Sequence, residues 1–193
     1  MRLLSRLLEH YSTQNILSEL ISPLDDKLDS SVRAAAVLIP VTDLEHAAEV
    51  ILTRRANHLS THAGQISFPG GMWEPQDADL SDTALRESWE EVGLNREEVK
   101  IVARFAPRES QFGVQVTPFL GVIPSAAKLT PSIEETDQII SVPLSFFMEK
   151  EPRRIDYKER GGRELRMPSW HFEGQEIWGL TAMIIDEMLE PLR

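Results

Sequence analysis

The chain contains no cysteine, which excludes disulfides, thiolate zinc sites and a cysteine nucleophile. A chain without disulfides is what the reducing cytoplasm accommodates, so a cytoplasmic location is expected. Positive charge is also in short supply: 20 Lys and Arg stand against 31 Asp and Glu, a formal charge of -11. That argues against a nucleic-acid partner, whose phosphates call for a broad basic surface. No apolar run approaches the roughly 18 residues of a membrane span, so no membrane insertion is expected. Internal repeats, low-complexity segments and linkers are missing as well. What remains is a composition with 41% hydrophobic and 26% charged residues over 193 positions, enough for one well-buried core and too little for two. One domain over residues 1–193 is expected, with a helical extension over about residues 1–30.

That extension opens with leucines at positions 3, 4, 7 and 8, the spacing of one apolar helix face. Arg2 and Arg6 mimic a transit peptide, but Glu9 and Glu19 argue against one. Short apolar runs bounded by polar breakers predict strands at Ala34–Pro40 and Ala48–Thr53. Gln65–Phe68 reads as a third strand, ended by Pro69-Gly70-Gly71. Further strands are expected at about Val99–Phe105, Val114–Val122, Gln138–Val142, Arg153–Lys158, Glu164–Met167 and Ser169–Phe172. Pro143–Met148 reads as a short helix with proline in its first turn, and Trp178–Leu189 as a terminal amphipathic helix. Asp77, Asp79 and Asp82 cluster where another helix should begin, and Gly93 sits where its C-terminal cap would fall. Strands outnumbering helices around that segment imply mixed α and β structure.

Within that helix Glu87, Glu90 and Glu91 stand at i, i+3 and i+4, so their carboxylates crowd one face and repel. A solvated acidic face is the plain explanation of such a run. A Gly-Gly turn ahead of it and Arg86 at its start favour a hard divalent cation, which takes carboxylate and carbonyl oxygens. Arg86 reaches Glu90 at i+4, so its expected task is to orient the acids and offset their repulsion.

The segment Arg86-Glu87-Ser88-Trp89-Glu90-Glu91-Val92-Gly93-Leu94 resembles the second half of the Nudix hydrolase signature: a glycine, five residues, a glutamate, seven residues, then Arg-Glu-apolar-x-Glu-Glu-x-Gly-apolar. The first half departs, because Asp77 follows Gly71 at the glutamate position and eight residues separate it from Arg86. Ser88 also replaces an apolar residue. A lengthened box with Asp is similar to that of a subgroup resembling coenzyme A diphosphatases. This subgroup carries an upstream motif close to the stretch from Ile51-Leu52-Thr53-Arg54-Arg55 through His62 and Gly64-Gln65 to Phe68-Pro69-Gly70-Gly71, although Ala56 and Ser60 replace its usual Ser and Arg.

The resemblance implies an α/β fold, a Nudix-type α/β/α sandwich with a mixed sheet. It also implies metal-dependent hydrolysis of a diphosphate linkage, in coenzyme A or its derivatives, giving phosphopantetheine and adenosine 3′,5′-bisphosphate. The metal would be Mg²⁺ or Mn²⁺, held by Glu87, Glu90, Glu91 and a carbonyl of the turn at Gly70. Glu90, Glu91 or Glu135 would position or deprotonate water; a solvated loop acid is the plain alternative for Glu135. Arg54, Arg55, His62 and Gln65 would contact the substrate, the arginines because their planar forks match phosphate oxygens; ordinary surface charge is their alternative. His58 and His62 at i and i+4 also suggest zinc, but no third ligand stands near.

Between Lys150 and Arg166 seven Lys or Arg face four Asp or Glu, either a charged hairpin of mixed sign or a region that draws in a polyanionic small molecule. Two rival functions stay open: a Nudix hydrolase acting on another nucleoside diphosphate derivative, and a non-catalytic ligand-sensing Nudix domain. The intact acid set favours an enzyme. Whether the chain forms a homodimer is left open.

Overall fold

The structure is a computed structural model that describes residues 3–13, 33–59, 62–152, 154–160 and 162–193. Helix α1 (Leu3–Thr13) is followed by strands β1 (Ala34–Thr42), β2 (Glu49–Arg55), β3 (Ile66–Ser67) and β4 (Gly70–Met72). Helix α2 (Leu80–Val92) leads to β5 (Lys100–Arg104), β6 (Arg108–Glu109), β7 (Gln115–Ile123) and β8 (Thr136–Pro143). After α3 (Leu144–Glu149) come β9 (Arg154–Arg160), β10 (Arg163–Phe172), β11 (Gln175–Ile177) and α4 (Gly179–Leu189).

The main sheet has eight strands, with the path β3-β2-β1-β7-β5 and with β4 on β1, β6 on β7 and β8 on β2. β1 and β7 run parallel from Ala34 opposite Gln115 to Thr42 opposite Ile123, whereas β2 and β4 pair β1 antiparallel. The sheet is therefore mixed. β9, β10 and β11 form a separate antiparallel sheet.

Alternation along the central strands divides the core between two faces. Ala34, Ala36 and Leu38 of β1, Ile51 of β2 and Phe119 and Ile123 of β7 pack with Leu80, Ala84 and Val92 of α2. Ile39 and Val41, Val50 and Leu52, and Leu120 pack on the other side with α1, α3 and α4. A sheet covered on both faces is an α/β/α sandwich, as the resemblance implied. In α1 the leucine spacing has the expected outcome: Leu4, Leu7 and Tyr11 are buried, and the Tyr11 hydroxyl donates to the Met188 carbonyl at 3.0 Å. The remainder of the helical extension expected to about residue 30 lies outside the described residues.

Two expectations need correction. Pro69-Gly70-Gly71 does not simply end a strand: β2 and β1 diverge, and Gly70–Met72 fills the gap by pairing with Ala35–Val37. The pieces expected on either side of Pro168 are one strand, β10. β11 reaches only the 170–172 end of β10, so Pro168 has a strand neighbour on one side alone, where a missing N–H is tolerated.

Candidate active site on the acidic helix

Helix α2 is set by its ends. Asp79 caps it, its Oδ1 accepting from the Asp82 N–H at 2.9 Å, and Gly93 closes it with its N–H on the Trp89 carbonyl at 2.9 Å. Leu80, Thr83, Ala84, Ser88 and Val92 face the sheet, and this orientation fixes where each glutamate points.

Arg86 binds more than the acids of its own helix. Its Nε donates to Asp77 Oδ1 at 2.8 Å and its Nη2 to Asp77 Oδ2 at 3.0 Å, a bidentate pair. Nη2 also donates to the Met72 carbonyl, at 3.0 Å. Nη1 reaches Glu87 Oε1 at 2.9 Å and Glu90 Oε2 at 3.1 Å. The guanidinium thus ties the β4 exit, the loop before α2 and two box acids together, and the hydrogen bonds to Asp77 above all, then the Glu87 carboxylate, raise its pKa against the opposing effect of burial. Asp77 is 6% exposed and accepts further from the Glu74 N–H at 3.0 Å and the Thr83 hydroxyl at 2.9 Å. The Arg86 hydrogen bonds above all hold the Asp77 carboxyl down at about 2. Reading the sequence assigned Asp77 to the box and the helix start but missed this pairing. The displaced acid of the lengthened box was the available signal.

Glu91 is only 5% exposed. Burial, then the charges of Glu87 and Glu135, push its carboxyl up to about 8, while Arg55 and the Gly70 N–H act against that rise. Its Oε2 is buried with no hydrogen-bond partner. Glu87 is raised too, first by burial, with Arg86 opposing, whereas Glu90 is exposed. Glu135 arrives from the loop before β8. Its carbonyl accepts from the Ala56 N–H at 2.8 Å, and Ser132 in the same loop donates to the Glu91 carbonyl at 2.9 Å.

The glycine turn is demanded by close approach. A Cβ on Gly70, at φ +154, would lie 2.3 Å from the Ala36 carbonyl oxygen, and one on Gly71 would lie 2.4 Å from the Glu87 carboxyl group. Among the described residues no three His, Asp or Glu side chains converge on one point; Glu90 is drawn to Arg86, and Glu91 turns inward. The donor set nevertheless fits a hard cation. It offers a buried carboxylate oxygen without a partner and a second carboxylate, that of Glu87, raised by burial and seated against Gly71 where any side chain would displace it.

The upstream motif lies beside this centre. The Arg55 N–H donates to the Gln65 carbonyl, and the Gly64 N–H to the Arg55 carbonyl, both at 3.0 Å. Arg55 shares the α2 side of β2 with Ile51, consistent with its electrostatic contact with Glu91. Alternation puts Arg54 on the opposite side, where its Nε is buried without a hydrogen-bond partner. His62 Nδ1 lies 2.7 Å from Gln65 Oε1, and no zinc cluster forms around His58 and His62 among the described residues.

A mixed sheet sandwiched by helices, with an acidic helix abutting a Gly-Gly turn on its central strand, defines a Nudix-type hydrolase. The profile of the NUDIX domain matches residues 32–149, and the chain belongs to the Nudix family. It is similar to the protein described as "Uncharacterized Nudix hydrolase NudL" of Yersinia enterocolitica, with 37% identity over 180 residues covering 90% of this chain and 92% of that protein. The protein of the same description from Photorhabdus laumondii is 34% identical over 173 residues, covering 90% and 92%.

Among solved structures, a MutT/nudix family protein from Enterococcus faecalis superposes with a TM-score of 0.55 at 16% identity, covering 97% of this chain and 73% of that one. An Ap4A hydrolase binary complex from C. elegans reaches 0.50 at 20% identity, covering 61% and 85%. At such identities these two speak to fold alone. The protein is therefore an enzyme, a Nudix hydrolase acting on a diphosphate-containing substrate, and Nudix hydrolases generally use divalent metal ions. No helix among the described residues is long and apolar enough to cross a membrane.

Proposed function

We propose that the protein hydrolyses the diphosphate linkage of coenzyme A or its derivatives in the cytoplasm, using Mg²⁺ or Mn²⁺, and releases phosphopantetheine and adenosine 3′,5′-bisphosphate. The observation that carries the catalytic part is the buried, partnerless Oε2 of Glu91 beside Glu87. Such an oxygen is costly in an apolar setting and is satisfied by a cation. Glu87, Glu90 and Glu91, with the Gly70 carbonyl, would hold the metal. When bound, divalent cations supply neutralisation of the diphosphate charge and acidification of water.

The chain's own groups do the rest. Arg86, anchored on Asp77, fixes Glu87 and Glu90. Water attacks phosphorus, the bridging P–O bond breaks, and the water proton passes to a carboxylate of Glu90, Glu91 or Glu135. Arg55, on the side of Glu91, pairs with a phosphate of the substrate, while His62 and Gln65 bind its remaining parts; Arg54, on the opposite side of β2 with its Nε buried, contributes less than the sequence motif implied. The choice of coenzyme A rests on the sequence motif through Gln65 and on the Asp77 box.

Product analysis tests this reading, with coenzyme A, its acyl and 3′-dephospho forms, ADP-ribose and a dinucleoside tetraphosphate each supplied with Mg²⁺ or Mn²⁺. Adenosine 3′,5′-bisphosphate and phosphopantetheine are the expected products. Preferential cleavage of ADP-ribose or the tetraphosphate would refute the coenzyme A assignment.

A further inference from the structure

The turn between β6 and β7 holds a phenyl ring out into solvent beside the upstream motif. Phe112 is 59% exposed, yet its backbone is well held. The Ser110 N–H donates to the Val114 carbonyl at 2.8 Å and the Gly113 N–H to the Ser110 carbonyl at 3.1 Å. The Ser110 Oγ accepts from the N–H groups of Phe112, at 3.3 Å, and Val114, at 3.2 Å. The ring packs edge to face on the His62 imidazole, with centroids 5.3 Å apart and planes at 84°. His62 itself sits at a positive φ of 58°, a conformation non-glycine residues adopt rarely and at a cost, and it is engaged with the Gln65 carboxamide.

A lone exposed aromatic is ordinary. This one belongs to a set: an exposed phenyl ring on a braced turn, an imidazole and a carboxamide on the loop bonded to Arg55, and Arg55 beside the acidic centre. That combination suits a flat heterocycle whose faces stack and whose edges exchange hydrogen bonds. A flexible aliphatic chain would use none of the polar heads. Building on the diphosphate reading above, we propose that Phe112 is a specificity-determining residue that stacks the purine base of the substrate, with the Gln65 carboxamide and the His62 imidazole facing the base edge.

The test compares two non-hydrolysable probes, α,β-methylene-ADP and methylenebisphosphonate, titrated calorimetrically into the full chain with Mg²⁺. Both carry the bridged diphosphate, and only the first carries a base. Stacking on an aromatic side chain predicts that Phe112→Ala weakens α,β-methylene-ADP about tenfold or more and leaves methylenebisphosphonate within about twofold. Phe112→Trp should retain nucleotide affinity, and thermal melts should match the wild type because the side chain is exposed.

Unchanged nucleotide affinity in Phe112→Ala, equal losses on both probes, or a Phe112→Trp variant as weak as Phe112→Ala would each overturn the inference. So would wild-type protein that binds the two probes equally or binds neither. Base-dependent binding by a wild type that leaves coenzyme A intact would instead refute the coenzyme A assignment alone.

Discussion

Replacing Asp77 with asparagine removes one charge from a buried bidentate pair while keeping its shape. The carboxyl falls from an ordinary 3.8 to about 2 in the folded chain. At about 1.4 kcal/mol per unit, that difference is worth about 2 kcal/mol of stability at neutral pH. Asp77 is buried, with its side chain 1% exposed, so solvent screening takes little away. The sign follows from the depressed folded value: the contribution is complete above the unfolded pKa and is lost as pH falls through the folded one. About half of it should be gone by pH 3.

Urea denaturation of wild type and Asp77→Asn at pH 7, 5, 4 and 3 measures this. A midpoint about 1 M lower is expected for the variant at pH 7, given slopes of about 1–3 kcal/mol/M, with the gap unchanged to pH 5 and roughly halved at pH 3. Turnover should fall as well, in kcat more than in KM, because Arg86 would lose the anchor from which it positions Glu87 and Glu90. Equal midpoints at pH 7, or a gap that does not move with pH, would refute the reasoning.

Glu91→Gln should lose at least ~100-fold in metal-dependent turnover, by analogy with deletion of one electrostatic stabiliser, yet melt no lower than wild type, because the amide removes the cost of holding a carboxyl that burial pushes up to about 8; near-normal turnover at saturating Mg²⁺ would reject its role. Chelation should abolish activity while far-UV circular dichroism persists, and loss of the dichroism would mark the metal as structural. Arg55→Ala should weaken coenzyme A about tenfold or more, and Arg54→Ala less, because only Arg55 shares a face with Glu91; kcat/KM for coenzyme A and its 3′-dephospho form on both variants shows which phosphate each arginine reads. Gly71→Ala should fold but lose turnover, since its Cβ would fall 2.4 Å from the Glu87 carboxyl group and that flexible end can swing away; an active variant would show that the position of Glu87 is immaterial.

Much of the site could be read in one dimension because it is made of local order. The i, i+3, i+4 spacing of Glu87, Glu90 and Glu91, the capping Asp79 and the closing Gly93 depend on residues within a turn or two, where helix geometry is fixed. The Arg86–Glu90 pair is of the same kind. Short apolar runs bounded by polar breakers likewise announced the strands β1 and β2, whereas the sheet covered on both faces followed from the family resemblance, the residues alone giving only mixed α and β structure.

Tertiary structure alone decided the chemistry of those residues. Sequence spacing does not distinguish Glu90, which is exposed, from Glu91, which is buried, since burial depends on which face α2 turns to the sheet. Asp77 reaches Arg86 only because the loop before α2 folds back over the helix. Glu135 comes within electrostatic range through a loop bonded to both Ala56 and Glu91, a contact with no periodicity to betray it. Arg54 and Arg55 look interchangeable in the chain, yet strand alternation sends them to opposite faces once the position of α2 is known. Local propensities are set by neighbours along the chain, whereas charge, burial and shared faces are set by neighbours across it.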